Sequence, residues 1–191
     1  MNIGKRKFLH RQKVEKLLHH NLFFDTDFEQ HAVEIYDEPQ LPKNPLFYAN
    51  FSSITDSDLA PEGKEVGFFL IPVAVDLEDN QNVHDRYFEL IMDRIQKNTD
   101  VDLRKHVLFK KSFGVRDFKE RYNSCRGNAY GLANTLLQTS ILRPQIDNKK
   151  IKNLFYTGQL TVPGPGVPPA LISGKVVTDY ILKNQHRILK N

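Results

Sequence analysis

The residues best suited to chemistry lie in a Gly/Pro-rich segment near the C-terminus. Within residues 153–177, a Pro-Gly-Pro-Gly run at 163–166 comes just before Pro168 and Pro169. Proline suits the first helical turn because its φ angle is already helical and its missing N–H would lack a partner there. Glycine lets a ligand approach the backbone, and the start of a helix carries partial positive charge. The segment predicts a strand, a loop and a helix that together stabilise an electron-rich ring or a phosphate.

Backbone N–H groups would make this contact, because the loop contains no acidic or basic side chain. Pro168 and Pro169 cannot donate, so the available donors are the N–H groups of Gly164, Gly166, Val167, Ala170 and Leu171. Negative charge that develops on a bound ring would be stabilised by these donors and by the helix end. The alternative is a rigid turn that joins a strand to a helix and binds nothing.

The helix after the loop carries an apolar stripe of five residues, Ile172, Val176, Val177, Tyr180 and Ile181. Gly174 lies inside this helix, where glycine costs about 1 kcal/mol relative to alanine. We expect such a glycine to pack tightly against a neighbouring element.

A second candidate site lies at residues 127–138. Gly127, Gly131 and the small Ala129 and Ala133 would let a flat ligand approach the backbone closely. Three apolar residues could line a slot beside it, namely Tyr130, Leu132 and Leu136. A plain core helix over residues 130–142 explains the same pattern equally well.

Several blocks along the chain carry a family resemblance. They are residues 18–24, Leu41-Pro42 with Pro45, residues 60–63, residues 127–132 with Gln138, Arg143-Pro144, Thr161, residues 163–164, residues 166–168 and residues 173–175. In this order they resemble the bacterial carotenoid desaturases, the phytoene desaturase family of the flavin amine oxidase-like superfamily. The resemblance covers nearly the whole chain from about Leu18 onward.

The resemblance implies an FAD-dependent oxidoreductase of carotenoid biosynthesis. Such an enzyme removes two hydrogens across a saturated C–C bond of a phytoene-like polyene and passes a hydride to flavin N5. Carried over to this sequence, Tyr130, Leu132 and Leu136 lie near the polyene, and no catalytic side chain is assigned. The residues carried over as the FAD-binding set are Gly158, Gln159, Thr161, Pro163, Gly164, Gly166, Val167 and Pro168. Gln159-Leu160 and Thr161-Val162 replace the more polar variants, with Thr-His before Pro-Gly, that are commoner in the family, which favours a backbone contact.

One expected motif is absent from the sequence. The family begins with a G-x-G-x-x-G turn that holds the ADP half of FAD, and no such motif occurs between Met1 and Asn191. The resemblance therefore implies an α/β fold with an α+β, partial substrate-binding domain at 1–150. The last strand and helix of a glutathione-reductase-like FAD-binding domain follow at 151–191, without the N-terminal Rossmann unit. We expect the chain to hold FAD poorly unless an N-terminal half is supplied in cis or in trans.

Two other kinds of function fit the same residues. One is a related flavin oxidase or a carotenoid isomerase, which the blocks in the middle of the chain disfavour. The other is a non-catalytic remnant, or a module that binds a partner or a membrane surface.

Composition and charge agree with a globular body. The chain has 191 residues, 40% hydrophobic and 26% charged, and no apolar run near the ~20 residues of a membrane-spanning helix. These features predict a cytoplasmic protein. The net charge is +4, and basic residues crowd the N-terminus at Lys5, Arg6, Lys7, Arg11, Lys13 and Lys16. They predict a solvated end or a contact with the inner face of the cell membrane, and no nucleic-acid motif accompanies them.

Hydrophobic patterns predict the elements that position these sites. Strands are expected at 46–51, at 66–73, at 107–109 and at 154–156, the first two as neighbours and the second covered on both faces. Helices are expected at 83–97, at 115–122 and from Pro168 onward, with a domain boundary at 145–152.

Histidine and cysteine give little support to rival chemistries. His19 and His20 are adjacent, so a regular element would point them apart, and we expect no metal site there. They are better explained as packing and hydrogen-bonding residues. The single cysteine, Cys125, rules out an internal disulfide and is expected to be a small core residue.

Overall fold

The computed structural model of the chain describes residues 7–10, 17–132, 138 and 142–185. The chain divides into two compact units, Met1–Ala129 and Tyr130–Asn191. The expected functional boundary, with a substrate part at 1–150 and a cofactor part at 151–191, stays a prediction, because compactness does not reveal which residues meet substrate.

The first unit is built on a four-stranded antiparallel sheet. Its strands are β1 (Lys7–His10), β2 (His20–Phe23), β3 (Phe47–Asn50) and β4 (Lys64–Leu70), in the spatial order β1-β4-β3-β2. Strands β3 and β4 pair directly, with Tyr48 opposite Leu70. The predicted pairing of these two strands is confirmed.

Burial along β4 alternates, so the expectation of a strand covered on both faces is wrong. Glu65, Gly67 and Phe69 are buried, whereas the residues between them are only half-buried. Antiparallel sheets commonly pack one face on a core and leave the other more open.

Helix α2 (Gln81–Thr99) supplies the other half of this core and confirms the helix predicted at 83–97. Tyr87, Ile91 and Ile95 are at most 1% exposed and belong to the same apolar cluster as Phe47 and Phe69. The hydroxyl of Tyr87 donates to the carbonyl of Pro42 at 2.8 Å, and burial raises the pKa of Tyr87 to about 12.

Two shorter helices complete the regular structure described in this unit. Helix α1 (Phe28–Tyr36) begins where Asp27 accepts hydrogen bonds from the N–H groups of Glu29 and Gln30. Helix α3 (Val115–Tyr122) has the bounds that the pattern predicts. Short 3₁₀ turns lie at Ser52–Ile54, Ser57–Leu59, Leu103–His106 and Cys125–Gly127.

Two further expectations for the first unit are wrong. The strand predicted at 107–109 does not form, and Leu108 and Phe109 are 56% and 48% exposed. A three-residue apolar run needs a neighbouring strand to pair with, and the described sheet ends at β1 and β2. Cys125 is exposed because it begins a surface 3₁₀ turn, so it is not a core residue.

The second unit ends in helix α4 (Val167–Lys183), which starts at the predicted prolines. The strand predicted at 154–156 is reduced to one bridge, Asp147 with Phe155. The helix predicted at 130–142 is absent from its first residues, since 130–132 form a bend and Gly131 has a φ of +87°. Residues 133–137 and 139–141 lie outside the described ranges.

None of the helices within the described ranges is both long enough and apolar enough to cross a bilayer.

Candidate cofactor-binding loop

The Gly/Pro loop, residues 158–166, runs into the first turn of α4. Its three glycines have φ angles of +103° (Gly158), +137° (Gly164) and +114° (Gly166). Residues with a side chain rarely adopt such angles, so the shape of the loop requires glycine at these positions. The sequence predicted the glycines as openings for a ligand, and backbone conformation is a second reason for them.

Ser173, on α4, holds the entrance of the loop. Its side chain is fully buried, and its hydroxyl oxygen accepts from the N–H of Gly158 at 2.7 Å. The same hydroxyl lies 2.9 Å from the hydroxyl of Thr157 and donates to the carbonyl of Ala170 at 2.6 Å. Sequence reasoning used Ser173 only as part of the family resemblance. The signal that could have found it is a serine on the inner side of an otherwise apolar helix.

Arg143 and Pro144 contact the loop through hydrogen bonds. Thr161 is 1% exposed and donates from its hydroxyl to the carbonyl of Pro144 at 2.8 Å. The guanidinium of Arg143, which is 5% exposed, donates to the carbonyl of Gln159 at 3.3 Å. A Cβ on Gly164 would lie 3.3 Å from Cζ of Arg143. The side of Gly164 where a side chain would lie is therefore occupied by the chain's own arginine, and the role of Gly164 in cofactor binding stays a prediction.

The five N–H groups expected to face a ligand separate into two sets. That of Ala170 donates to the carbonyl of Gly166 at 3.0 Å, and Leu171 is the fifth residue of α4, where the intrahelical ladder begins. The N–H groups of Gly164, Gly166 and Val167 donate no hydrogen bond to any described residue. Gly166 and Val167 are exposed, so the mouth of the helix offers free donors with the positive end of its dipole.

The second candidate segment meets this loop at one point. A Cβ on Gly131 would lie 2.7 Å from Cδ2 of Leu160, so the Gly131 backbone is in close contact with the loop. Its neighbours Tyr130 and Leu132 are 55% exposed and half-buried, respectively. Leu136 lies outside the described residues. The contact with Leu160 is thus made by Gly131, which lies between Tyr130 and Leu132 in the sequence.

Gly127 packs closely against another element of the first unit. A Cβ there would lie 2.5 Å from both Cγ1 and the carbonyl oxygen of Val115. This glycine therefore permits a close approach to the start of α3, and its approach to a flat ligand stays a prediction.

The apolar stripe of α4 is divided between two environments. Tyr180 and Ile181 are half-buried, and the ring of Tyr180 lies 6.0 Å from that of Phe155. By contrast, Leu171 and Ile172 are 74% and 51% exposed. A Cβ on Gly174 would meet only the Thr157 hydroxyl at 3.8 Å, an ordinary contact, so the expected tight packing is not found.

The histidine pair is used for hydrogen bonding, as expected. Nδ1 of His19 lies 2.6 Å from the hydroxyl of Thr55, and Nδ1 of His20 lies 2.5 Å from that of Tyr48. The two rings are not pointed apart, since their centroids are 4.1 Å from each other. Strand β2 begins only at His20, so strict alternation does not apply to His19. No group of three potential metal ligands occurs within the described ranges.

Comparison with known proteins finds carotenoid desaturases among the proteins similar to this chain. The chain is 42% identical to a carotenoid 3,4-desaturase of Haloarcula japonica over 171 residues, which are 90% of this chain and 34% of that protein. It is 31% identical to a zeta-carotene-forming phytoene desaturase of Myxococcus xanthus, over 92% of this chain and 34% of the relative. By sequence, the chain is a homologue of the carotenoid desaturases.

The chain is also similar to a protein that is named as a dehydrogenase and not as a desaturase. A 4,4'-diapolycopen-4-al dehydrogenase of Metabacillus indicus is 32% identical over 86% of this chain and 33% of its own length. No protein-family model matches the chain. The chain spans about a third of the length of the curated relatives it matches.

Proposed function

We propose that the chain supplies the C-terminal third of an FAD-dependent carotenoid desaturase that dehydrogenates a phytoene-like polyene. The observation that carries the proposal is the similarity to carotenoid desaturases along 90% of the chain. The free donors at the start of α4 add a physical reason, because they lie in the segment that the resemblance assigns to the flavin.

The residues present fit the pyrimidine edge or the ribityl chain of a flavin. Three N–H groups at Gly164, Gly166 and Val167 have no acceptor among the described residues, and carbonyl or phosphate oxygens are their natural partners. Pro163 and Pro168 are exposed and shape the rim of the loop. The Thr161 side chain is buried, so it would support the loop without touching the cofactor.

When bound, FAD would supply the hydride acceptor for the desaturation. One saturated carbon of the polyene would lose a hydride and its neighbour a proton, which passes to water, and the new C–C double bond would extend the conjugated system. The chain would contribute the partial positive charge of its free N–H groups and of the N-terminus of α4. This charge would stabilise negative charge that develops toward N1 and the C2 carbonyl of the flavin ring. Tyr130 and Leu132, which flank Gly131 where it contacts Leu160, would present apolar surface to the polyene and exclude water from the flavin ring.

The remaining two thirds of the enzyme would come from an N-terminal polypeptide that carries the G-x-G-x-x-G turn. Leu171 and Ile172 on α4 are apolar and exposed, as expected of surface that another polypeptide covers. With that polypeptide, residues 151–191 would complete a glutathione-reductase-like domain. Without it, we expect FAD to bind weakly and the chain to be inactive.

The membrane contact stays a prediction of the sequence. The basic N-terminal residues lie outside the described ranges, apart from Lys7 in β1. Because polyene substrates dissolve in the bilayer, a cytoplasmic enzyme attached to the inner face of the membrane would be well placed to receive them.

The test is co-expression of this chain with the N-terminal two thirds of the Haloarcula japonica relative. We expect a purified complex with flavin absorbance and, in a host that accumulates phytoene, more strongly conjugated products. The matched control is a Gly166→Asp variant, which places a carboxylate at the helix mouth and should abolish flavin retention without preventing assembly. A complex that assembles but never retains flavin would refute the proposal.

A second candidate reaction is oxidation of a polyene aldehyde, which the name of the Metabacillus indicus relative favours. Product analysis separates the two, because the aldehyde reaction yields a carboxylic acid and leaves the number of conjugated C–C double bonds unchanged.

A further inference from the structure

We propose that Arg143 is a positioning residue for the cofactor, which holds the Gly/Pro loop in its binding shape and places a fixed positive charge behind it. This inference rests on the proposed function for its cofactor, but its structural half concerns this chain alone. In the sequence analysis, Arg143-Pro144 is only one block of the family resemblance, and no functional role is assigned to the arginine.

The first argument is burial. Arg143 is 5% exposed, and arginine is seldom buried to this extent in proteins. Removing a guanidinium from water costs free energy. In a stable fold this cost is offset by the hydrogen bonds of the buried arginine or by favourable interactions of its charge.

The second argument is the set of contacts that the guanidinium makes with the loop. Nη1 donates to the carbonyl of Gln159 at 3.3 Å, near the start of the loop. Farther along, Gly164 packs on the same group, with its Cβ position 3.3 Å from Cζ. One planar side chain therefore contacts two points of the loop that are five residues apart. Lysine could not reproduce this, because its ammonium has neither the flat face nor the fixed fork of donors.

The third argument is the position of the charge. Gly164 carries one of the three free N–H groups, and the Arg143 guanidinium lies directly against that residue. A cation shielded from solvent acts on a nearby charge with little screening by salt or water. An electron-rich ring bound at the free N–H groups would therefore feel the helix dipole and the arginine together. Both favour the reduced, more negative form of the ring.

The holding role is tested on the chain without cofactor, by hydrogen exchange of the peptide that covers residues 158–167. We expect Arg143→Lys and Arg143→Gln each to raise exchange in this peptide several-fold. The matched control is Arg94→Lys, since Arg94 is a half-buried arginine, with a side chain 12% exposed, that donates to the backbone carbonyls of Phe23 and Pro45 in the first unit. It should leave exchange of the loop unchanged. Unaltered loop exchange in both Arg143 variants would overturn the holding role, as would an equal increase in the Arg94 control.

The charge role is tested on the complex with the N-terminal polypeptide, by FAD affinity and by the flavin reduction potential. Arg143→Gln should weaken FAD binding roughly tenfold to a hundredfold, the usual range for losing a hydrogen bond to a charged group. It should also make the potential more negative, whereas Arg143→Lys keeps the charge and should keep the potential near that of the unmodified chain. Equal potentials in the two variants would overturn the charge role, because a purely structural residue affects both alike.

The two experiments keep the failures apart. A complex of the unmodified chain that binds no flavin would refute the proposed function and the charge role together. The exchange result on the chain alone would still decide whether Arg143 holds the loop.

Discussion

Gly158 and Gly164 share a positive φ angle, but their surroundings differ. A Cβ on Gly158 would meet nothing within 4 Å, whereas a Cβ on Gly164 would press on the guanidinium of Arg143. Substituting alanine at each glycine therefore separates two costs within one loop. Gly158→Ala measures backbone strain alone, and Gly164→Ala measures strain together with the contact to Arg143.

We expect Gly164→Ala to lower the free energy of unfolding more than Gly158→Ala does. Strain alone costs of order 1–3 kcal/mol in either variant, and the Arg143 contact should add about 1 kcal/mol at residue 164. Chemical denaturation of the two variants measures the difference. Equal decreases in the free energy of unfolding would mean that the Arg143 side chain moves aside at no cost and does not support Gly164.

Tyr87 predicts a pH dependence for the first unit. Its pKa is raised from 10.0 to about 12 because burial disfavours the phenolate. A raised pKa means that the stabilisation is complete below pH 10 and is lost as the pH rises toward 12, since only the unfolded chain ionises readily in that range. We expect the free energy of unfolding to fall over this interval in denaturation experiments at successive pH values.

The control for this dependence is Tyr87→Phe, which cannot ionise. It loses the hydrogen bond to Pro42 at a cost of about 1 kcal/mol but should show a shallower slope between pH 10 and 12. An unchanged slope would assign the alkaline loss of stability to other groups.

At the scale of elements, α4 is an ordinary helix at its interior glycine and a specialised one at Ser173. Gly174 has room for a methyl group, and Ser173 is fully buried and bound to the loop entrance. Adjacent positions in one helix should thus respond to alanine in opposite directions.

We expect Gly174→Ala to raise the free energy of unfolding by about 1 kcal/mol, the difference in helix propensity. Ser173→Ala should lower it by about 1–3 kcal/mol, because the partly buried N–H of Gly158 loses its acceptor. Thermal or chemical denaturation of both variants tests the pair. If Gly174→Ala lowered the free energy of unfolding, the result would support tight packing at Gly174, as the sequence predicts.

For the molecule as a whole, the notable feature is large apolar side chains that are exposed among the described residues. Leu171 on α4 is 74% exposed and Tyr36 on α1 is 76% exposed. Under the proposed function, the surface around Leu171 is where the N-terminal polypeptide docks, because α4 follows the loop assigned to the flavin, whereas no such role is proposed for Tyr36.

We expect Leu171→Lys to leave the stability of the chain within about 0.5 kcal/mol, as usual for surface substitutions, and to weaken assembly with the N-terminal polypeptide. Tyr36→Lys is the control, an equally exposed apolar residue in the other unit. Affinity measured by titration should fall more for Leu171→Lys. An equal fall would indicate a general effect of added charge on docking.

Long amphipathic patterns predicted their elements well. The apolar periodicity of residues 83–97 and the prolines at 168 and 169 correspond to α2 and to the start of α4. Short apolar runs predicted poorly. Residues 107–109 and 154–156 have strand composition, yet a strand also needs a partner, and pairing depends on residues far away in the sequence.

Residue types alone predict that a Gly/Pro loop precedes a helix near the C-terminus, because proline and glycine restrict the backbone locally. They also carry the resemblance to carotenoid desaturases, which the comparisons confirm. The folded chain was needed to show which glycine faces Arg143, which N–H groups donate to no described residue and that Gly131 lies against Leu160. Those contacts join residues many positions apart, and their geometry follows from packing, which local propensity does not encode.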